Sequence, residues 1–138
     1  NPDRLALMGM YHDATEIITG DMPTPVKYYN PLIRNAYKEV ESVAKDELLD
    51  GLPNEMRPYY EPLMQDTEKE AVMWLYVKAA DKLSALIKCI EERSMGNQDF
   101  CKAEETTLES VLDTKLPEVQ FFVDHFIPAY GQTIDESK

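Results

Sequence analysis

Apolar residues recur at three- and four-residue intervals along the chain, and no segment alternates cleanly enough to predict a strand. The pattern predicts an all-α bundle of five to seven helices. Asn1 before Pro2, with Asp3 following, is an N-cap, a proline at the first helical position and an acid in the first turn, so a helix is expected to run to about Thr19. Gly20 ends it. Pro23 and Pro25 lack amide donors and restrict the residues before them, so residues 21–25 read as a rigid loop. Asn30 and Pro31 repeat the start signal. Leu32, Ile33, Ala36, Tyr37, Val40, Val43, Ala44 and Leu48 then keep helical spacing as far as Gly51.

A shorter helix is expected from Pro53 to about Met64, bent near Pro58 and Pro62, with Met56, Tyr59, Tyr60 and Leu63 on its apolar side. From Asp66 or Thr67 to Gly96 the chain is apolar on most sides at its centre, which predicts a central, largely buried helix. Two more helices, about Gln98 to Thr114 and Pro117 to Ala129, precede a polar tail. No internal repeat is visible.

A chain of 138 residues suffices for one domain that removes roughly two thirds of its unfolded surface from water. Cys89 and Cys101 are too few for a disulfide framework and read as free thiols in a reducing compartment. With no secretory pattern at Asn1-Pro2-Asp3-Arg4 and no apolar run of membrane-spanning length, the expected location is cytoplasmic, with no membrane partner. The 26 acidic residues against 14 basic ones give a formal charge of −12, which repels a polyanion and argues against a nucleic-acid polymer as partner. A small phosphorylated substrate stays open, because one metal ion and a few basic side chains reverse the field locally.

His12 and Asp13 are adjacent, and Glu16 follows four and three residues later, a helical spacing that puts it on the face of both. A neutral imidazole and a carboxylate can ligate one divalent cation, while a third acidic group one turn on can serve a metal-bound water. A surface histidine with unconnected acidic neighbours fits the same pattern. Asp81 lies within the helix expected to be most buried, where a carboxylate is costly unless paired, hydrogen-bonded or bound to metal. The small neighbours Ala79, Ala80 and Ala85 would let another helix approach. A polar-edge position, paired with Lys78, Lys82 or Lys88, is the alternative.

The string Met10-Tyr11-His12-Asp13-Ala14-Thr15-Glu16-Ile17-Ile18-Thr19-Gly20-Asp21-Met22-Pro23-Thr24-Pro25-Val26-Lys27 closely resembles the HD motif and following loop of the bacterial 5′-deoxynucleotidases. Lys78-Ala79-Ala80-Asp81, with Leu83 and Lys88-Cys89, resembles that family's later helix bearing its final aspartate, and a weaker likeness extends through Phe126-Ile127-Pro128. The resemblance implies an HD-domain helical bundle, usually a homodimer, that removes phosphate from deoxyribonucleoside 5′-monophosphates. It also implies one divalent transition metal, cobalt or manganese being typical; imidazole and carboxylate ligands alone would suit zinc or iron as well. Carried onto this sequence, it makes His12, Asp13 and Asp81 metal ligands and Glu16 the group serving the attacking water or leaving oxygen. Asp21 would reach the deoxyribose 3′-hydroxyl, and Lys27 is a candidate for the phosphate.

The family's metal set has two histidines, the first on a helix upstream of everything in this sequence, and no histidine precedes His12. Residues 1–138 are therefore expected to form a single HD-type domain whose N-terminal helices, with that ligand, are absent here. His125, the other histidine, lies where the family pattern places no ligand and reads as a packing or surface residue. Two other functions stand beside the enzyme: a non-catalytic nucleotide-sensing or scaffolding protein with an incomplete HD site, and an HD phosphohydrolase for another nucleotide. The tyrosines read as filling the core or a dimer face, and the seven methionines as core filler.

Overall fold

The structure is a computed structural model that describes residues 1–65, 67–132 and 135. Every regular element among the described residues is helical, and six helices have eight residues or more. The fold class is all-α, that of the HD-domain bundle. The chain divides into two compact units, Asn1–Trp74 and Leu75–Lys138.

The first unit holds α1 (Pro2–Tyr11), α2 (Glu16–Thr19), α3 (Thr24–Lys27), α4 (Pro31–Asp50), α5 (Arg57–Met64) and the first turn of α6 (Ala71–Ser94). Both predicted caps are in place. Asn1 Oδ1 accepts from the Arg4 amide at 3.1 Å, and Asn30 Oδ1 accepts from the Ile33 amide at 2.9 Å. α4 packs against α2, α3 and α5, and α1 packs against α5. Met8, Tyr37, Ala44, Leu49, Leu63 and Trp74 are the buried apolar residues of this unit. Tyr11 meets Tyr60 edge-on, ring centroids 5.4 Å apart, which ties the end of α1 to α5. Arg4 grips Glu70 with two hydrogen bonds of 2.8 and 3.0 Å, fixing the start of α1 to the 3₁₀ turn that leads into α6.

Three expectations need correction here. The first helix does not continue to Thr19 but stops at Tyr11, with a turn over residues 12–15 before α2. The amides of Ala14, Glu16, Ile17 and Ile18 bond carbonyls three residues back, so the winding tightens to 3₁₀. The loop expected over residues 21–25 contains the start of α3. The Pro23 carbonyl accepts from the amides of Val26 and Lys27, and Pro25 sits in the first turn, where its missing donor costs nothing. Similarly, Pro58 lies in the first turn of α5, which begins four residues later than expected.

The second unit contains the rest of α6, then α7 (Cys101–Leu112), α8 (Pro117–His125) and α9 (Ile127–Tyr130). Ala79, Leu86, Ile90, Val111 and Val119 form its buried cluster, with Leu83, Leu108, Leu116, Val123 and Ile127 packed around it. Full burial of a valine, leucine or isoleucine side chain such as Val111 or Leu86 contributes about 1.5–3 kcal/mol. Gly96, at φ +93°, closes α6 as expected, and the next amide, Asn97, reaches back to the Glu92 carbonyl. The helix predicted from Pro117 to Ala129 breaks at Phe126, because Pro128 has no N–H with which to continue the ladder. Among the described residues no helix is long and apolar enough to cross a membrane.

Candidate metal and phosphate-chemistry site

The tight turn after α1 carries the His-Asp pair. His12 Nδ1 lies 2.8 Å from the Gly9 carbonyl oxygen. A carbonyl can only accept, so Nδ1 carries the proton, and in a neutral ring Nε2 is left with its lone pair. Nε2 is buried and makes no hydrogen bond among the described residues, yet Asp13 Oδ2 stands 2.9 Å from it. Two electron-rich atoms that close repel each other unless a proton or cation is shared between them. Two donor atoms each about 2.1 Å from one cation, at right angles around it, stand about 3 Å apart. The Nδ1–H to carbonyl bond is the support that fixes the tautomer of a metal-binding histidine. His12 and Asp13 thus fit a divalent cation.

Glu16 opens α2 and is partly exposed. The 3₁₀ winding changes the basis of its placement: at three residues per turn, residues i and i+3 eclipse, so Glu16 aligns with Asp13. Burial holds the Glu16 carboxyl above the ordinary carboxylate range, and the charges of Asp13 and Asp21 push the same way. Lys27 and His12 oppose them. A carboxyl so placed retains a proton to higher pH than a free glutamate, which suits proton transfer to a leaving oxygen.

Asp21 follows Gly20, whose φ of +69° and ψ of 159° form a conformation open essentially to glycine alone. The aspartate is exposed. Lys27, at the end of α3, is engaged within the protein: its ammonium is 2.8 Å from Glu41 Oε1 and 4.7 Å from the centroid of the Tyr37 ring. Burial alone would lower its pKa, but the hydrogen bond and charge of Glu41 outweigh that and leave it raised. A phosphate at Lys27 has Glu41 as its competitor. Tyr37 and Glu41 were outside the sequence reading of the site, although their four-residue spacing on α4 puts them on one face.

In the second unit, Asp81 lies on α6 and is exposed, not buried as its apolar neighbourhood suggested. It stands roughly 180–220° around the helix from Ala79, Leu86 and Ile90, so the buried cluster faces away from it. An exposed carboxylate is solvated without a partner or a metal, so burial gives no reason for either at Asp81. Of its small neighbours only Ala79 is buried. His125 is exposed, bonds the Phe121 carbonyl through Nδ1 at 2.9 Å and stacks on the Phe121 ring at 4.1 Å, in keeping with a packing role. Cys89 and Cys101 are free thiols, and burial pushes the pKa of Cys89 up.

A family profile described as 5′-deoxynucleotidase YfbR-like matches residues 1–130. The chain belongs to this family. It is 41% identical over 136 residues to a 5′-deoxynucleotidase of Erwinia tasmaniensis, a match covering 99% of this chain and 69% of the relative. Against 5′-deoxynucleotidases of Photobacterium profundum and Pasteurella multocida the identities are 44% and 45% over 137 residues, covering 99% of this chain and 70% of each relative. Membership makes the chain an enzyme that hydrolyses a nucleotide 5′-phosphate, in the class the HD-to-loop string implied.

Proposed function

We propose that this member of the family removes the 5′-phosphate from deoxyribonucleoside 5′-monophosphates at a single divalent transition metal, cobalt or manganese, with zinc and iron as less favoured occupants. The observation that carries the reading is the His12–Asp13 arrangement, a buried imidazole nitrogen without a hydrogen bond facing a carboxylate oxygen at 2.9 Å. His12 and Asp13 are the first ligands, and Asp81 is the third, on the strength of its resemblance to the family's final aspartate. By the same resemblance, a histidine upstream of Asn1 completes the set. A cation held there supplies a Lewis acid that acidifies water and offsets charge on the phosphoryl oxygens.

This chain's own residues do the remaining work. Gly9 holds the Nδ1 proton of His12 and so keeps Nε2 available. Glu16 accepts a proton from the attacking water or returns one to the departing 5′-oxygen at its carboxyl, a transfer favoured by its raised pKa. Asp21 accepts a hydrogen bond from the 3′-hydroxyl of the sugar. Lys27 meets the phosphate by exchanging Glu41 for it, which places an ion pair in competition with substrate.

The protein acts in the cytoplasm, where its two thiols stay reduced. It works as a homodimer, a reading supported by the exposed stripe of Leu32, Val40 and Val43 on α4. Phosphate release from deoxyribonucleoside and ribonucleoside 5′-monophosphates, measured with each metal, tests substrate and cofactor together. A preference for the ribonucleotide would replace the deoxynucleotide reading with that of a phosphohydrolase for another nucleotide.

A further inference from the structure

Gly20 joins the proposed proton-transfer group to the proposed sugar contact: Glu16 opens the helix before it and Asp21 is the residue after it. Its backbone lies in a region that other residues avoid, and no neighbour within 4 Å would meet a Cβ placed there, so the glycine is required by conformation and not by crowding. Such a turn persists only if surrounding groups determine it. Here the hydroxyl of Tyr37, a buried residue of α4, donates to the Gly20 carbonyl oxygen at 3.0 Å. The Thr19 hydroxyl lies 3.0 Å from the same oxygen and 3.4 Å from the Tyr37 hydroxyl. The other end of the segment rests on the same side chain, with the Lys27 ammonium over the Tyr37 ring and paired to Glu41 one turn further along α4. One aromatic residue thus touches both ends of the segment that carries Asp21.

We propose that Tyr37 is a positioning residue for the sugar end of the substrate, fixing the Gly20–Asp21 turn through its hydroxyl and the α3 end of the segment through its ring. The inference rests on the reading of Asp21 as the partner of the 3′-hydroxyl. Tyr37 touches no reacting atom. Its influence passes through one backbone carbonyl, so the effect of losing the hydroxyl depends on whether the substrate has a 3′-hydroxyl for Asp21 to meet.

The test compares a deoxyribonucleoside 5′-monophosphate with its 2′,3′-dideoxy counterpart, for the metal-loaded protein and for Tyr37→Phe, Gly20→Ala and Asp21→Asn. Tyr37→Phe keeps the ring beneath Lys27, so the fold is retained, and circular dichroism checks this. The expected result is a loss in kcat/KM of about tenfold on the deoxynucleotide, carried mainly by KM, and less than about twofold on the dideoxynucleotide. Gly20→Ala, which strains the same turn without touching α4, is expected to give the same selective loss. Equal losses on both substrates in Tyr37→Phe, or none, would overturn the proposal. Selective loss in Asp21→Asn without it in Tyr37→Phe overturns the role of Tyr37 while leaving that of Asp21 intact. If Asp21→Asn itself shows no selectivity, the reading beneath the proposal fails and the proposal with it.

Discussion

His12 Nε2 and Asp13 Oδ2 lie 2.9 Å apart at the end of α1, and the proton of the imidazole is committed elsewhere, to the Gly9 carbonyl. A cation shared between the two atoms suits that arrangement, and this is the geometry behind the proposed metal site. Asp13→Asn removes the anionic donor with little change in size, and it is expected to abolish cation binding in calorimetric titration with Co²⁺ or Mn²⁺ while leaving the helical circular dichroism unchanged. Retained affinity in that variant would assign the pair to a protonated surface interaction.

Asp81→Asn is expected to lose metal affinity and activity without loss of fold. Because Asp81 is exposed, an amide there costs the folded state little. Any defect therefore reports on ligand chemistry and not on folding. Full activity under metal-limited conditions would return Asp81 to a solvated face of α6.

Glu16→Gln keeps the side chain's size and removes its basicity. It is expected to retain metal and nucleotide while losing on the order of 10² to 10⁴ in kcat on a deoxyribonucleoside 5′-monophosphate. Metal loss in step with activity would make Glu16 a ligand or a support. An unchanged kcat would remove it from the mechanism.

The Arg4–Glu70 pair provides a pH-dependent contribution to stability. The Arg4 hydrogen bonds, opposed by partial burial and assisted by the Arg4 charge, hold the Glu70 carboxyl below the ordinary carboxylate range. A lowered folded pKa stabilises the protein above the unfolded glutamate's value, and the contribution is lost as pH falls through the folded one. Glu70→Gln is expected to cost about 1 kcal/mol at pH 7, after allowance for solvent screening, and less at pH 3. Urea denaturation of both proteins at the two pH values checks this; a cost that grows at acid pH would contradict the assignment.

The α-helical class, both asparagine caps, the two ends of α4, the close of α6 at Gly96 and the adjacency of His12 and Asp13 were legible in the sequence, because each rests on local chemistry. The break after Tyr11 was not. Residues 12–15 contain no proline or glycine, and the tightening appears in a hydrogen-bond register that side-chain spacing does not encode. Asp81 failed for a different reason. An apolar-rich helix still has an exposed face, and the relevant quantity was its angular distance from Ala79, Leu86 and Ile90. The engagement of Lys27 by Tyr37 and Glu41 joins α3 to α4 across a turn, and no spacing within either helix announces it.

Metal-dependent release of phosphate from a deoxyribonucleoside 5′-monophosphate at the His12–Asp13 site is tested most directly by measuring inorganic phosphate released by the protein after chelator treatment and then with Co²⁺ or Mn²⁺ restored, alongside Asp13→Asn under the same conditions. The expected result is no release from the stripped protein, recovery on adding metal, and no recovery in Asp13→Asn. Release that survives chelation, or recovery in Asp13→Asn equal to that of the unmutated protein, would rule out catalysis by a metal at this pair.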